Sequence, residues 1–149
     1  MFSQTVEYAL RAMVQLAVDA PAASTTRAIA AKTKVPTAYL AKVLQSMRRA
    51  GLIHSRRGVG GGVTLALPPK DVSLLAVIDA VEPLQRTRGK SRSATSPLHR
   101  TLEAALGQIR ETFASVSLAD MLAPAKAKAP KRRRKSGQAS PRKRARARS

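Results

Sequence analysis
Cysteine is absent from this sequence, which excludes a disulfide, a thiolate nucleophile and any cysteine-ligated zinc or iron–sulfur site. Histidine is nearly absent too: His54 and His99 stand far apart, too thin an inventory for a metal or hydrolytic centre. Acidic residues are scarce, 8 against 28 Lys plus Arg, for a formal charge of +20. That imbalance points to a polyanionic partner, nucleic acid before an anionic membrane surface. No uncharged apolar run reaches the roughly 18 residues of a membrane span. Arg11, Gln15 and Asp19 interrupt the most apolar early segment. Neither a span nor a secretory signal is expected, and the chain reads as soluble and intracellular.

What is present is a domain's worth of chain with a strongly basic end. Residues 1–123 carry 16 basic and 8 acidic side chains, whereas residues 124–149 carry 12 basic and none acidic. That end, PAKAKAPKRRRKSGQASPRKRARARS, has no aliphatic side chain larger than Ala. It cannot bury enough apolar surface to offset the entropy of ordering, so it is expected to be a disordered polybasic tail. Non-specific phosphate binding through counterion release is its functional reading, and a solubilising extension the bland one. KRRRK and PRKRARAR also fit the pattern of nuclear-import signals, and a charge run alone does not separate import from DNA binding.

Ahead of the tail the apolar periodicity is helical. Val6, Leu10, Met13, Val14 and Ala17 share one helical face, so residues 3–19 are expected to form an amphipathic helix with that face inward, stopped by Asp19-Ala20-Pro21. Ser24, Thr25 and Thr26 offer N-cap oxygens for a short helix, TRAIAAKT, anchored by Ile29. After the connection Thr33-Lys34-Val35-Pro36, residues 37–50 place Leu40, Val43, Leu44 and Met47 on one helical face, with Gly51 where a left-handed cap is wanted. The opposite face shows Thr37, Ala38, Ala41, Lys42, Gln45, Arg48 and Arg49, all small, polar or basic. A short helix, a tight turn and a second helix with a basic outer face make the helix-turn-helix pattern, whose second helix reads the major groove. Any helical hairpin on a basic surface would share that pattern.

The stretch SRRGVGGGVTLAL is more specific. Leu52–Arg56 and Val63–Leu67 read as strands joined across glycines, where positive φ is free. A β-hairpin directly after a recognition helix is a wing. Gly58, Gly60 and Gly61 let its backbone approach a surface, and Arg56 and Arg57 put guanidinium groups where a narrow minor groove concentrates negative potential. A phosphate-cradling loop does not fit, because a P-loop needs Gly-Lys followed by Ser or Thr and a dinucleotide loop needs glycine where Val63 stands. A solvated hairpin is the plain alternative. Further on, Leu102, Leu106, Ile109, Phe113 and Val116 recur at spacings of 4, 3, 4 and 3. That narrow seam wants a partner helix, in a second copy or else within the monomer.

At this point YLAKVLQSMRRAGLIHSRRGVGGGVTLA is similar to the segment that marks the Rrf2 family of bacterial winged helix-turn-helix transcription regulators. The match includes the Tyr-Leu spacing, Ala-Gly-Leu at the helix end, and the Arg-Gly-x-Gly-Gly-Gly wing ending in Leu-Ala. VEYALRAMVQLA resembles the family's first helix, DVSLLAVIDAVEPL the helix after the wing, and SPLHRTLEAALGQIRETFASVSLADML the long dimerisation helix with its closing short helix. The resemblance covers residues 1–122 and leaves out the basic tail. It implies a mainly α fold with a small β-hairpin wing: a winged helix-turn-helix domain over 1–82, a loop at the family's sensor position over 83–96, the dimerisation and closing helices over 97–123, and the tail over 124–149. It also implies a cytoplasmic, nucleoid-associated bacterial homodimer, usually a repressor, on an imperfect palindrome of double-stranded DNA at promoters. Two-fold symmetry would set the recognition helices about 34–36 Å apart.

Carried over by position, Arg57 would be the arginine that enters the minor groove, with Gly58, Gly60, Gly61 and Gly62 shaping the tip. Thr37, Ala38, Tyr39, Ala41 and Lys42 would lie nearest phosphates and base edges. Lys42 or Gln45 could contact bases, Lys42 could equally hold a phosphate, and Arg48 and Arg49 suit backbone contacts or solvated charge. Three departures stand out: Ala41 where many members carry an acid, Val63 where an aromatic is common, and no cysteine where the best-known members hold an iron–sulfur cluster. Ser96 takes what looks like the last cysteine position, His99 remains where some members have a fourth ligand, and Glu7 matches a carboxylate ligand of others. Hydroxyl, imidazole and carboxylate replace thiolates poorly, so no cluster, metal or other cofactor is expected, and His99 reads as a capping or packing residue. Arg86, Arg88, Lys90 and Arg92 leave that loop open to an anionic ligand or more DNA backbone.

Two functions compete: a cofactor-free, sequence-specific dimeric repressor controlled by an unidentified effector or protein partner, and an architectural, nucleoid-type DNA-binding protein with little sequence preference. The ratio of specific to non-specific affinity separates them, about 10³ or more for a regulator. No nucleophile with a base, no paired carboxylates and no cofactor loop support an enzyme. Membrane binding through the tail lacks a bulky apolar anchor.

Overall fold
Ser3 opens the first helix by accepting a hydrogen bond from the Val6 amide, and α1 runs Gln4–Asp19. The computed structural model describes residues 2–84 and 96–123. The expected tail at 124–149, and Arg86, Arg88, Lys90 and Arg92 of the sensor-position loop, lie outside the described residues. The chain continues through α2 (Thr26–Thr33), α3 (Thr37–Arg49), β1 (Ile53–Arg56), β2 (Gly62–Leu65), α4 (Leu74–Val81), α5 (Pro97–Ser115) and α6 (Leu118–Leu122).

The inward face of α1 is rotated from the one expected. Val6, Ala9, Ala12, Met13, Leu16 and Ala17 are buried, while Leu10 and Val14 are partly buried flanks of the core. α1 packs against α2, α3, α4 and α6. Ala9 and Ala12, fully buried, let these neighbours come close to its backbone, so close packing rather than side-chain bulk selects the face.

Local chemistry sets the helix-turn-helix. The Thr25 hydroxyl accepts from the Ala28 amide at 3.1 Å to start α2, and Lys34 ends it in the left-handed region at φ 58°. Buried Val35 and then Pro36 lead into α3, which buries the expected Leu40, Val43, Leu44 and Met47. At its end Gly51, φ 75°, donates to the Arg48 carbonyl and the Leu52 amide to the Met47 carbonyl, both at 3.0 Å. This paired closure uses the left-handed residue that glycine adopts without strain.

β1 and β2 pair antiparallel, with Ile53 opposite Leu65 and Arg56 opposite Gly62. Both strands are shorter than the sequence suggested. Leu52 belongs to the helix closure, and Ala66 adds only one bond back to its carbonyl. The hairpin also has a third partner, because Ser24 and Val63 exchange backbone hydrogen bonds of 3.0 and 2.8 Å. The segment between α1 and α2 thus holds the wing.

Past the wing, Ser73 caps α4, Ser96 caps α5, and Ser117 with Asp120 forms a capping box on α6. Leu74 donates to the Val116 carbonyl and Leu118 to that of Val72, each at 2.9 Å, so the start of α6 is stitched to the start of α4. Leu118 is fully buried among Met13, Val72 and their neighbours. No helix among the described residues is long and apolar enough to cross a membrane. Because the backbone stitching keeps the site from collapsing, Leu118→Ala should destabilise by about 3 kcal/mol, read as a lower urea midpoint with unchanged slope.

Candidate nucleic-acid interface
The outer face of α3 and the hairpin that follows it form one exposed surface. Thr37, Ala38, Lys42, Gln45, Arg48 and Arg49 are exposed along α3, and Arg56, Arg57, Gly58 and Gly60 at the end of the hairpin. Tyr39 differs from expectation. Its hydroxyl is 2.8 Å from that of Thr5, and its ring stands edge-on to Tyr8 at 5.3 Å, so it ties the start of α3 to α1 while keeping 38% exposure.

Five residues, 57–61, connect the strands, and the Gly61 amide closes the turn on the Gly58 carbonyl at 3.0 Å. Gly58 and Gly60 take φ values of 98° and 72°, and a Cβ at Gly61 would collide with the Arg56 and Gly58 carbonyls. The tip therefore has this course because it is glycine. Val59 stands at its apex fully exposed, a residue that the sequence reading passed over.

Charge makes this surface distinct. Between Asp19 and Asp71 the sequence has Arg27, Lys32, Lys34, Lys42, Arg48, Arg49, Arg56, Arg57 and Lys70, and no acid. Three cations off this face are paired: Arg11 with Glu7, Lys32 with Asp19 at 2.9 Å and Arg110 with Asp79 at 3.1 Å. Lys42, Arg48, Arg49, Arg56 and Arg57 form no ion pair among the described residues. Five unpaired cations on two adjoining elements give a field suited to a polyanion.

Beneath the wing lies its support. Asp19 accepts from Lys32, from the Ser24 hydroxyl at 2.7 Å and from Gln15 at 3.0 Å, while the Ser24 backbone pairs with Val63. The Lys32 ammonium first, then the Ser24 hydroxyl, hold the Asp19 carboxyl below its ordinary 3.8. Thr26 and Ser55 were also missed by sequence reasoning. They join Gln45 and Arg48 around a groove of about 220 Å³ between α3 and the wing. No sequence spacing links these positions; only the fold brings them together.

The expected seam on α5 divides in two. Phe113 packs edge-on against Phe2 at 5.2 Å, and Val116 lies beyond the helix end, its carbonyl accepting from Leu74; both pack on the chain's own core. Leu106 is half-buried, whereas Leu102 and Ile109 are 54% and 41% exposed, joined by Leu98 at 69%. α5 buries none of its 19 residues. Arg110 adds a polar tie to the body, donating to Asp79 and, at 2.6 Å, to the Leu84 carbonyl.

An exposed recognition helix, a basic wing and a helix-turn-helix core define a winged helix-turn-helix DNA-binding protein. The model of the Rrf2 family, described as iron-dependent transcriptional regulators, matches residues 2–124. An rrf2-like HTH-type transcriptional regulator of Rhodobacter capsulatus is 35% identical over 121 residues, 78% of this chain and 81% of its own. The HTH-type regulator BadM of Rhodopseudomonas palustris is 34% identical, covering 76% and 75%. Among solved structures, IscR of T. potens superposes with a TM-score of 0.71 at 28% identity over 82% of this chain and 85% of that one. CymR of B. subtilis, at 24% identity, shares the fold with a TM-score of 0.68 over 81% and 95%. The chain belongs to the Rrf2 family, and it is a sequence-specific DNA-binding transcriptional regulator. Nothing in the fold or its relatives favours the architectural reading.

The residues here do not fit the iron–sulfur cluster that the family's description of iron dependence brings to mind. There is no thiolate. The Ser96 hydroxyl caps α5 by accepting from the His99 amide at 3.1 Å, the His99 imidazole faces Glu103 at 3.9 Å, and Glu7 is paired with Arg11. Each candidate donor has a structural occupation within its own helix.

Asp19 generates a pH-dependent prediction. Its folded-state pKa lies below 3.8, so its bonds stabilise the fold above that pH, and the contribution is lost as pH falls through the folded value. Asp19→Ala should cost about 2 kcal/mol at neutral pH. Melting curves of the two proteins should converge in acid; a gap independent of pH would show that packing, not charge, is lost.

Proposed function
We propose that this chain is a homodimeric repressor that reads an imperfect palindrome at promoters without an iron–sulfur cluster. The observation that carries the reading is α5: 19 residues, none buried, with Leu98, Leu102 and Ile109 facing outward beside a complete half-site reader. An apolar helix face of this kind is covered at low cost by the same face of a second copy, since a two-fold interface is self-complementary. Dimerisation doubles the reader and sets two recognition helices one turn of DNA apart.

Within each half-site, the α3 residues Thr37, Ala38, Lys42 and Gln45 face the major groove, Arg57 enters the adjacent minor groove, and Arg49 and Arg56 hold phosphates. Tyr39 orients the start of α3 rather than reading a base, a role supported by its contacts with Thr5 and Tyr8. The protein works in the bacterial cytoplasm at the nucleoid, performs no catalysis, and takes its control from an effector or protein partner. The absence of an acid across the reader supports DNA over any other partner.

Two measurements test this. Full-length protein is titrated onto the DNA upstream of its own gene and onto a shuffled duplex, at fixed salt; a hundredfold or greater preference is expected for a regulator of this kind, where ratios of about 10³ are usual. Arg57→Ala should weaken the upstream complex about tenfold, the worth of one good groove contact, and unchanged affinity in a folded variant refutes the minor-groove role. Light scattering should give wild type twice the mass of one chain. Leu102→Glu with Ile109→Glu should give a single-chain mass and lose the preference for a palindrome over its isolated half-site; a dimer that survives both charges overturns the α5 interface.

A further inference from the structure
The groove between α3 and the wing has an uneven lining. Its buried lining is apolar, Leu44, Ile53 and Val63; its more exposed lining is Ala41 with the polar Thr26 from α2, Gln45 and Arg48 from α3, and Ser55 from β1. Arg48 supplies the only charge in this lining and has no counter-anion among the described residues. No carboxylate lies anywhere in the sequence from residue 20 to residue 70, so nothing on these elements competes for the guanidinium. One cation, two hydroxyls and an amide around a space large enough for a tetrahedral oxyanion form a set of donors for phosphate.

Position says which phosphate. Arg48 stands 11 residues beyond Thr37 on α3. At 1.5 Å per residue that is about 16 Å, more than the roughly 12 Å width of the major groove. With the start of α3 inserted among base edges, Arg48 passes over the bounding backbone. The wing flanks the same groove from the other side. A sugar-phosphate unit matches both parts of the lining, its deoxyribose over Leu44 and Val63 and its phosphate among the polar groups.

We propose that this groove holds one phosphate of the DNA backbone, with Arg48 supplying charge and Thr26 and Ser55 supplying neutral hydrogen bonds. The assignment rests on the DNA-binding reading and gives Thr26, on the first helix of the motif, and Ser55, inside the wing, a shared task. Clamping one phosphate between α3 and β1 fixes the angle between reader and wing, and so fixes where Arg57 can enter the minor groove. Arg48 sets register here and reads no base.

The test uses the full chain as wild type, Arg48→Ala, the double substitution Thr26→Val with Ser55→Ala, and all three together, on the upstream and shuffled duplexes across a range of KCl. Arg48→Ala should weaken both duplexes about tenfold and lower the salt slope by about 0.9 for each phosphate released. The hydroxyl pair should weaken both several-fold and leave the slope unchanged. Because all three groups hold one phosphate, the combined loss should be smaller than the product of the separate losses. A loss confined to the upstream duplex, an unchanged slope for Arg48→Ala, or losses that simply multiply would overturn the cradle. Inorganic phosphate alone is titrated in the absence of DNA; an Arg48-dependent rise in melting temperature would assign the groove to a free anion and overturn the backbone assignment. If wild type shows no preference for the upstream duplex, the repressor reading fails, while the slope comparison on shuffled DNA still tests the cradle.

Discussion
The structure depends on how closely other helices can approach α1. Ala9 and Ala12 on its inward face have no accessible surface, and Met13 and Leu16 beside them fill the space between. With side chains this short, α2, α3, α4 and α6 all reach one helix. A larger residue at Ala9 or Ala12 would push them apart, because overpacking a dense core forces backbone shifts. From this shared contact follow the orientation of α3, the placement of Ser24 against the wing, and the burial of Leu118 on α6.

The same architecture sorts charge. Two carboxylates fasten one element to another: Asp19 ties α1 to α2 and to Ser24, which pairs with the wing, and Asp79 ties α4 to α5. The reader has none. Its cations have no counter-charge among the described residues, and their like charges repel one another. Polyanion binding is thus an electrostatic consequence of where the eight acids were not placed.

α5 stands apart from this economy. It has a proline start, a serine cap and a charged tie through Arg110, yet no buried residue among its 19. Leu98, Leu102 and Ile109 keep an apolar face of it exposed. The donors that resemble cluster ligands have been taken into ordinary helix chemistry, Ser96 as a cap and Glu7 as an ion-pair partner.

Much of this was legible in residue order. Leu40, Val43, Leu44 and Met47, the glycine closure at Gly51 and the glycines of the wing each depend on contacts or torsions within a few residues, and sequence by itself determined them. It determined the family as well, since the recognition helix and wing are contiguous. Tertiary structure alone decided which face of α1 is inside, because apolar residues lie on more than one side and only the approach of neighbours selects among them. It also decided that Tyr39 binds α1, that Phe113 and Val116 belong to the body, and that Thr26, Arg48 and Ser55 share one groove. Those contacts join residues far apart in the chain, and no local periodicity carries information about them.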